Sequence, residues 1–252
     1  MDPVLLYPVG VLESCRFAFE HLKRFGFAFT DHPSPEITHL LLDVPSFDGN
    51  GLLRDGSDLK ELLRMLPKTI TVIGGNLTAS FLKGYRIMDL LEDTHYLAMN
   101  AAITAECALR AAAPHMSTTF ADSPALILGW GRIGKCLAQL LTAIGCPVAV
   151  AARKETDLAM LNALGYEAVD FSRVTQVVHH FRILFNTVPD LSLHSPVPEF
   201  QEKGIAIDLA SYPGMSGINV IAARGLPGKY APETSGKLIA ETVIRRSKEE
   251  AS

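Results

Sequence analysis

The sequence predicts an α/β protein of two β-α-β domains with parallel sheets, joined by a long connecting helix. Three observations carry that expectation. Short apolar runs alternate with helical patterns over residues 4–91, and the alternation restarts at Ala125. An Ala-rich helical stretch separates the two series. The second series opens on a glycine-rich turn between a buried strand and a helix, "ALILGWGRIGKCLAQLL". The expected boundaries are 1–95 for an N-terminal α/β domain, 96–116 for the connecting helix and 117–252 for a dinucleotide-binding domain. Its C-terminal helix is expected to pack back toward the N-terminal domain.

Each element has its own signal. "VLLYPVG" reads as a strand ending at Gly10. "LESCRFAFEHLKRF" places Leu12, Phe17, Phe19, Leu22 and Phe25 near helical spacing, and Gly26 stops it. "FAFT" and "HLLLDV" are short buried strands. "DLKELLRML" is a helix with Pro67 beyond its end. "TITVIGG" is a strand closing on a glycine pair, and "YRIMDLL" a further strand. Residues 93–114 form the connecting helix, which Pro114 terminates, and "HMSTTFADSP" is a polar entry to the second domain. There follow helix 132–144, strand "PVAVAAR", helix 155–164, strand "EAVDF" and a weak helix 172–179. Strands "ILFNTVP", "GIAIDLAS" and "INVIAA" come next, then the amphipathic tail "SGKLIAETVIRRSKEEAS".

Bulk properties narrow the function. Hydrophobic residues make up 48% and charged residues 20%, enough for a sizeable core. A formal net charge of −4 gives no reason to expect nucleic acid. No apolar run reaches the ~20 residues that span a bilayer, so no membrane is expected. The N-terminus carries an acid where a secretory signal carries bases. Four cysteines occur without a C-x-x-C pair, which reads as reduced thiols in a cytoplasmic protein. The histidines form no metal constellation, so no metal is expected.

"GWGRIG" is G-x-G-x-x-G, with Gly129, Gly131 and Gly134 around Trp130, Arg132 and Ile133. Gly129 allows the tight turn, Gly131 lets a pyrophosphate approach the backbone, and Gly134 lets the helix pack on its strand. The free N–H groups at the helix start favour the phosphate charge. The layout is therefore Rossmann-like. A NAD site usually carries an acid some 20 residues on, bonded to the ribose hydroxyls. Here the second strand ends in Ala151 and Ala152, followed by Arg153 and Lys154. Two cations suit a 2′-phosphate, so NADP is favoured, with NAD as the alternative. Asn186, Thr187, Val188 and Pro189, and also Asp208 and Ala210, end apolar runs. They are expected to face the ribose and nicotinamide half.

The motifs "LGWGRIGKCLAQLL", "VAARK", "NTVP", "DLASYPGM" and "GLPGKYAPETSGKLIAETV", spread over 125–243, resemble the A component of dipicolinate synthase; "NAAITAECAL" resembles that family's connecting helix. The resemblance implies a sporulation enzyme that oxidises a dihydrodipicolinate-type lysine-pathway intermediate to pyridine-2,6-dicarboxylate with a nicotinamide cofactor. The partner it implies is a flavoprotein B subunit. More distantly, the layout resembles D-2-hydroxy-acid dehydrogenases. The Pro-His turn of that family is Pro232-Glu233 here, and its arginine after the "IDLASYP" strand is missing, so that chemistry loses its base and its clamp.

A small dicarboxylate needs cations or N–H donors. The candidates are Lys229 in a turn-rich loop, Thr234 at the start of the last helix, Ser211 after its strand, and Asn100 with Thr104. The last two share a face of the connecting helix at i,i+4. Gly74, Gly75 and Asn76 end a strand, as a carboxylate site or a plain turn. No residue stands out as the general base. Two alternatives stay open: a non-catalytic dinucleotide-binding component of a two-part complex, and a stand-alone dehydrogenase of the 2-hydroxy-acid or cyclic-imine type. Self-association as a homo-oligomer is also open.

Overall fold

The computed structural model describes residues 4–189, 204–210, 215 and 219–250. They pack as two compact units, one formed by the chain up to Asn100 with the chain from Pro227 onward, the other by Ala101–Leu226.

The first unit holds β1 (Leu5–Pro8), α1 (Glu13–Arg24), β2 (Ala28–Phe29), β3 (His39–Leu41), α2 (Leu59–Arg64), β4 (Thr71–Gly74) and β5 (Arg86–Asp89). The strands form one parallel sheet in the order β2-β1-β3-β4-β5. Parallel strands are covered on both faces, so they need unbroken apolar runs. "LLL" at 40–42 and "ITVI" at 70–73 supply them, and Leu40, Leu42, Ile70 and Val72 join Leu59 of α2 in one core. Asp58 caps α2 by accepting the Lys60 N–H at 2.7 Å.

The connecting helix, α3, runs from Thr94 to Ala112 and ends in a single 3₁₀ turn over Ala113–His115. It begins at Thr94, within the stretch 93–114 expected to be helical, because Asp93 caps it, accepting the Tyr96 N–H at 2.8 Å.

The second unit continues with β6 (Ala125–Leu128), α4 (Arg132–Ala143), β7 (Val148–Ala152), α5 (Glu155–Ala163) and β8 (Glu167–Asp170). There follow α6 (Val174–Val177), β9 (Ile183–Asn186), β10 (Ile205–Asp208) and β11 (Val220–Ala222). All six strands are parallel, in the order β11-β10-β9-β6-β7-β8. The helix expected over 172–179 is one α-turn between two 3₁₀ turns. Val174, Thr175, Val177 and Val178 are β-branched and lose rotamer freedom in a helix, which accounts for the broken geometry.

A short helix, α7 (Leu226–Tyr230), precedes the last helix, α8 (Pro232–Glu250). As expected, α8 packs with the first unit, and it lies against α1. A side chain at Gly236 would collide with Phe17 Cβ, the Ser14 carbonyl and the Ala18 N–H, so the glycine lets the two helices touch backbone to backbone. Ile239, Ala240 and Val243, at helical spacing from Gly236, are buried on the same stripe. Asp93 Oδ2 accepts from Arg245 Nη2 at 2.6 Å and Arg246 Nη1 at 3.4 Å, pinning the far end of α8 to the start of α3.

Candidate dinucleotide site

In the second sheet the chain builds β6, β7 and β8 outward, then returns to lay β9 on the other side of β6. The switch point between β6 and β9 is where open α/β sheets bind ligands, beyond the carboxyl ends of the strands. Those ends are level there: Leu128 pairs with Ala151 on one side and with Asn186 on the other. The turn that follows is "GWG".

Each glycine of the turn has a separate steric reason. Gly129 lies at φ +103°, and a Cβ there would come within 2.7 Å of Thr187 Oγ1 and Val188 Cγ1. Gly134 has its α-carbon against the Gly129 carbonyl, where a Cβ would collide. Gly131 is different. It has an ordinary extended backbone, φ −81° and ψ −170°, and a Cβ there meets no atom of the described residues within 4 Å. The space over Gly131 lies at the start of α4, whose first N–H groups and dipole favour an anion. These observations fit a pyrophosphate.

The first unit makes the comparison sharp. Its own switch point lies between β1 and β3, and α1 starts beyond it. There Asp43 occupies the anion position, its two oxygens accepting the Val11 and Leu12 N–H groups at 3.0 Å each. Burial pushes the Asp43 carboxyl up from its ordinary value, against those two hydrogen bonds. The first unit thus fills its helix terminus with its own carboxylate, and in the second no described residue takes that place. At the end of β4 the N–H of Gly75 donates to Ser46 Oγ, and those of Asn76 and Leu77 to Asp89. "GGN" is therefore a plain turn with its donors spent.

The remaining cofactor candidates fall around the switch point. Ile133 is half-buried and Arg132 exposed in the first turn of α4. Trp130 stacks edge-on against Tyr166, centroids 5.7 Å apart, with Lys135 Nζ 5.6 Å from its ring. β7 ends in buried Ala151 and Ala152, and the exposed Arg153 places its guanidinium 4.6 Å from the Phe171 ring centre. Lys154 is exposed and takes the N-cap position of α5. Asp170, level with Ala152 on β8, accepts the Ser172 N–H and hydroxyl of its own turn. Thr187 donates N–H and hydroxyl to the Leu128 carbonyl at 3.0 and 2.8 Å, which ties β9's end to the glycine turn. Val188 is half-buried and Pro189 exposed.

Asn186 and Asp208 are fully buried and bonded to each other, Nδ2 to Oδ1 at 2.8 Å. Asn186 Oδ1 takes the Val188 N–H at 3.1 Å, and Ala210 N–H reaches Asp208 Oδ1 at 3.4 Å. A third member is one that the sequence reading misses: Arg224, just past β11, whose Nη2 donates to Asp208 Oδ2 at 3.3 Å. The signal is present in "VIAAR", a cation directly after a strand.

The substrate candidates are scattered over both units. Asn100, half-buried, and Thr104, buried, lie one turn apart on α3. Lys229 is exposed in the short helix α7, not in a loop, and Thr234 is the third residue of α8, which Pro232 opens. Ser211 lies outside the described residues.

The geometry is that of a Rossmann-like α/β nucleotide-binding unit, with a glycine-rich helix start at the switch point of its parallel sheet. Residues 87–192 match the family model of the D-isomer specific 2-hydroxyacid dehydrogenase NAD-binding domain. The chain is 26% identical over 234 residues to the A component of dipicolinate synthase of Bacillus subtilis (strain 168), covering 84% of this chain and 78% of that protein. The crystal structure of the same synthase component from Bacillus halodurans has a TM-score of 0.85 at 23% identity, covering 96% of this chain and 97% of that one. The Bacillus subtilis structure gives 0.82 at 22% identity, covering 99% and 97%. The resemblance read from the motifs is thus matched by sequence and structural relatives. Together they support a dinucleotide-dependent oxidoreductase with a nicotinamide cofactor. No described helix is long and apolar enough to cross a membrane.

Proposed function

We propose that this chain is the nicotinamide-dependent component of a dipicolinate-forming synthase. It oxidises a dihydrodipicolinate-type ring to pyridine-2,6-dicarboxylate in the cytoplasm, with NADP as cofactor. Its partner is a flavoprotein B subunit. The observation that carries the reading is the open helix terminus over Gly131, placed among the motifs that resemble those of the dipicolinate synthase A family. Gly129, Gly131 and Gly134 with the first turn of α4 would hold the pyrophosphate. Thr187, Val188, Pro189 and Ala210 line the strand ends toward the other half, over the Asn186–Asp208 support. When bound, the nicotinamide supplies the hydride acceptor. The ring loses a hydride and a proton and becomes aromatic, so the protein's task is to orient the ring and neutralise two carboxylates. Asn100, Thr104, Lys229 and Thr234 are the side chains assigned to that task.

The cofactor preference rests on Arg153 and Lys154 standing where a NAD site keeps its acid. A charge-assisted hydrogen bond to a 2′-phosphate contributes about 1.5–3 kcal/mol. Arg153→Asp is therefore expected to weaken NADP binding about ten- to a hundredfold by calorimetry and to leave NAD binding equal or better. Unchanged affinity for both nucleotides would remove Arg153 from the site. The reaction itself is tested by mixing the chain with its B partner, the lysine-pathway precursor and NADP. Reduced cofactor and pyridine-2,6-dicarboxylate should appear together. Dipicolinate formed without cofactor reduction would instead favour a dinucleotide-binding component that performs no hydride chemistry.

A further inference from the structure

The buried pair Asn186–Asp208 ends in a cation whose position the dinucleotide reading does not use. Arg224 lies two residues beyond β11, and the N–H of its neighbour Ala223 donates to the Asp208 carbonyl at 2.9 Å. Its Nε donates to the Ala210 carbonyl at 3.2 Å and its Nη2 to Asp208 Oδ2 at 3.3 Å. Asp208 is 2% exposed and is itself fixed by Asn186. One edge of the guanidinium is thus held by a buried carboxylate and a carbonyl. The other end, at Nη1, makes no hydrogen bond among the described residues, and 39% of the side chain is exposed. A planar fork gripped along one edge presents the remaining donors in a fixed direction, which suits a second carboxylate.

The place matters as much as the chemistry. Arg153 marks one flank of the switch point, at the end of β7, and Gly129–Gly134 its centre. The described part of the sheet on the opposite flank is β9, β10 and β11, whose carboxyl ends carry Asn186, Asp208 and Arg224 in turn. A dinucleotide that puts its adenosine ribose at Arg153 and its pyrophosphate over Gly131 sends its nicotinamide toward that flank.

We propose that Arg224 binds one carboxylate of the substrate beside the nicotinamide, with Asp208 and Asn186 as the residues that position it. The proposal rests on the reading of the chain as an oxidoreductase of a small dicarboxylate. The sequence has no arginine after the β10 strand, and Arg224 brings a guanidinium to the same sheet edge from β11.

The test is calorimetric titration of pyridine-2,6-dicarboxylate into the full chain saturated with oxidised NADP, for the wild type, R224K and R224Q. The wild type should bind. R224Q should bind about thirtyfold more weakly and R224K at an intermediate level, since a lysine keeps the charge but not the fork. NADP affinity should move less than about threefold in both variants, because Arg224 lies away from the pyrophosphate. Wild-type affinity in R224Q, an equal loss of NADP and dicarboxylate, or no binding to the wild type each overturns the assignment. If R224Q does not fold, R224K decides, since it still offers Asp208 a cation; wild-type affinity there overturns the proposal. The two readings fail separately. Turnover by wild type and R224Q alike would remove only the clamp. Arg224-dependent dicarboxylate binding without turnover would remove the reaction and leave the clamp.

Discussion

Gly131→Ala and Gly134→Ala are expected to fail in opposite ways. At Gly131 a methyl group meets no atom of the described residues within 4 Å, and the backbone is one any residue adopts. The folded chain should accept it, with stability unchanged within about 0.5 kcal/mol. The methyl group does enter the space over the start of α4, where the pyrophosphate would come within van der Waals range of the backbone. NADP binding should fall about a hundredfold, a loss of about 2.7 kcal/mol. At Gly134 the methyl group runs into the Gly129 carbonyl, with the Gly129 carbonyl carbon at 3.1 Å and Ile127 Cγ2 at 3.5 Å behind it. Backbone cannot rotate away as a side chain can, so α4 must lift from β6. Overpacking of this kind costs about 3 kcal/mol, and nucleotide binding goes with the helix. The check is a thermal melt of each variant with and without NADP. Gly131→Ala should melt like the wild type alone and gain little from the nucleotide. Gly134→Ala should melt roughly 6–12 °C lower before any is added. Full NADP stabilisation of Gly131→Ala would move the pyrophosphate elsewhere.

That contrast is half legible in the sequence. The glycine spacing, the buried run before it and the helix after it are local, and parallel strands buried on both faces announce themselves as apolar runs. The three steric roles can be assigned from the pattern, and the structure supplies the contacts behind each. What the sequence hides is pairing across distance. Asn186 and Asp208 each read as a polar residue at a strand exit, because nothing in "ILFNTVP" or "IAIDLAS" says that these two side chains bond to each other and then to Arg224. Asp43 is hidden likewise: 31 and 32 residues separate it from the N–H groups it takes. "VIGGNL" looks like a candidate anion turn because its rivals for those N–H groups, Ser46 and Asp89, belong to other segments. The two sheets echo each other in pattern, and only the structure separates a helix terminus filled from within from one left open. The short helix around Lys229 is illegible for a simpler reason. "LPGKY" carries Pro and Gly, which signal a turn, and five residues are too few for a periodicity.

Asp93 should be worth more to stability than any other carboxylate near the surface among the described residues, because it serves two elements at once. It caps α3 through the Tyr96 N–H, and it takes Arg245 and Arg246 from the last turns of α8. Its side chain is 6% exposed, so the pair is poorly screened by solvent. Burial alone would raise its pKa. The Arg245 hydrogen bond, the Tyr96 N–H, the Arg245 charge and Arg246 together outweigh that and hold the carboxyl at about 2. The ordinary value is 3.8, so the folded state holds the charged form more tightly than the unfolded chain does. The sign follows. The contribution is complete above about pH 5, shrinks as the pH falls through the unfolded value, and is gone below about pH 2. Its size at neutral pH is about 2 kcal/mol. Asp93→Asn keeps the shape and loses the charge, so it should lower the melting temperature by roughly 4–8 °C at pH 7. The decisive measurement is the difference between wild type and Asp93→Asn across pH. Other carboxylates protonate over the same range in both proteins, and they cancel in the difference. It should close from about 2 kcal/mol at pH 7 toward zero below about pH 2, where the wild-type carboxyl becomes protonated and resembles the amide. A difference that stays constant with pH would mean that the cap and packing at Asp93, not its charge, hold α8 to the start of α3.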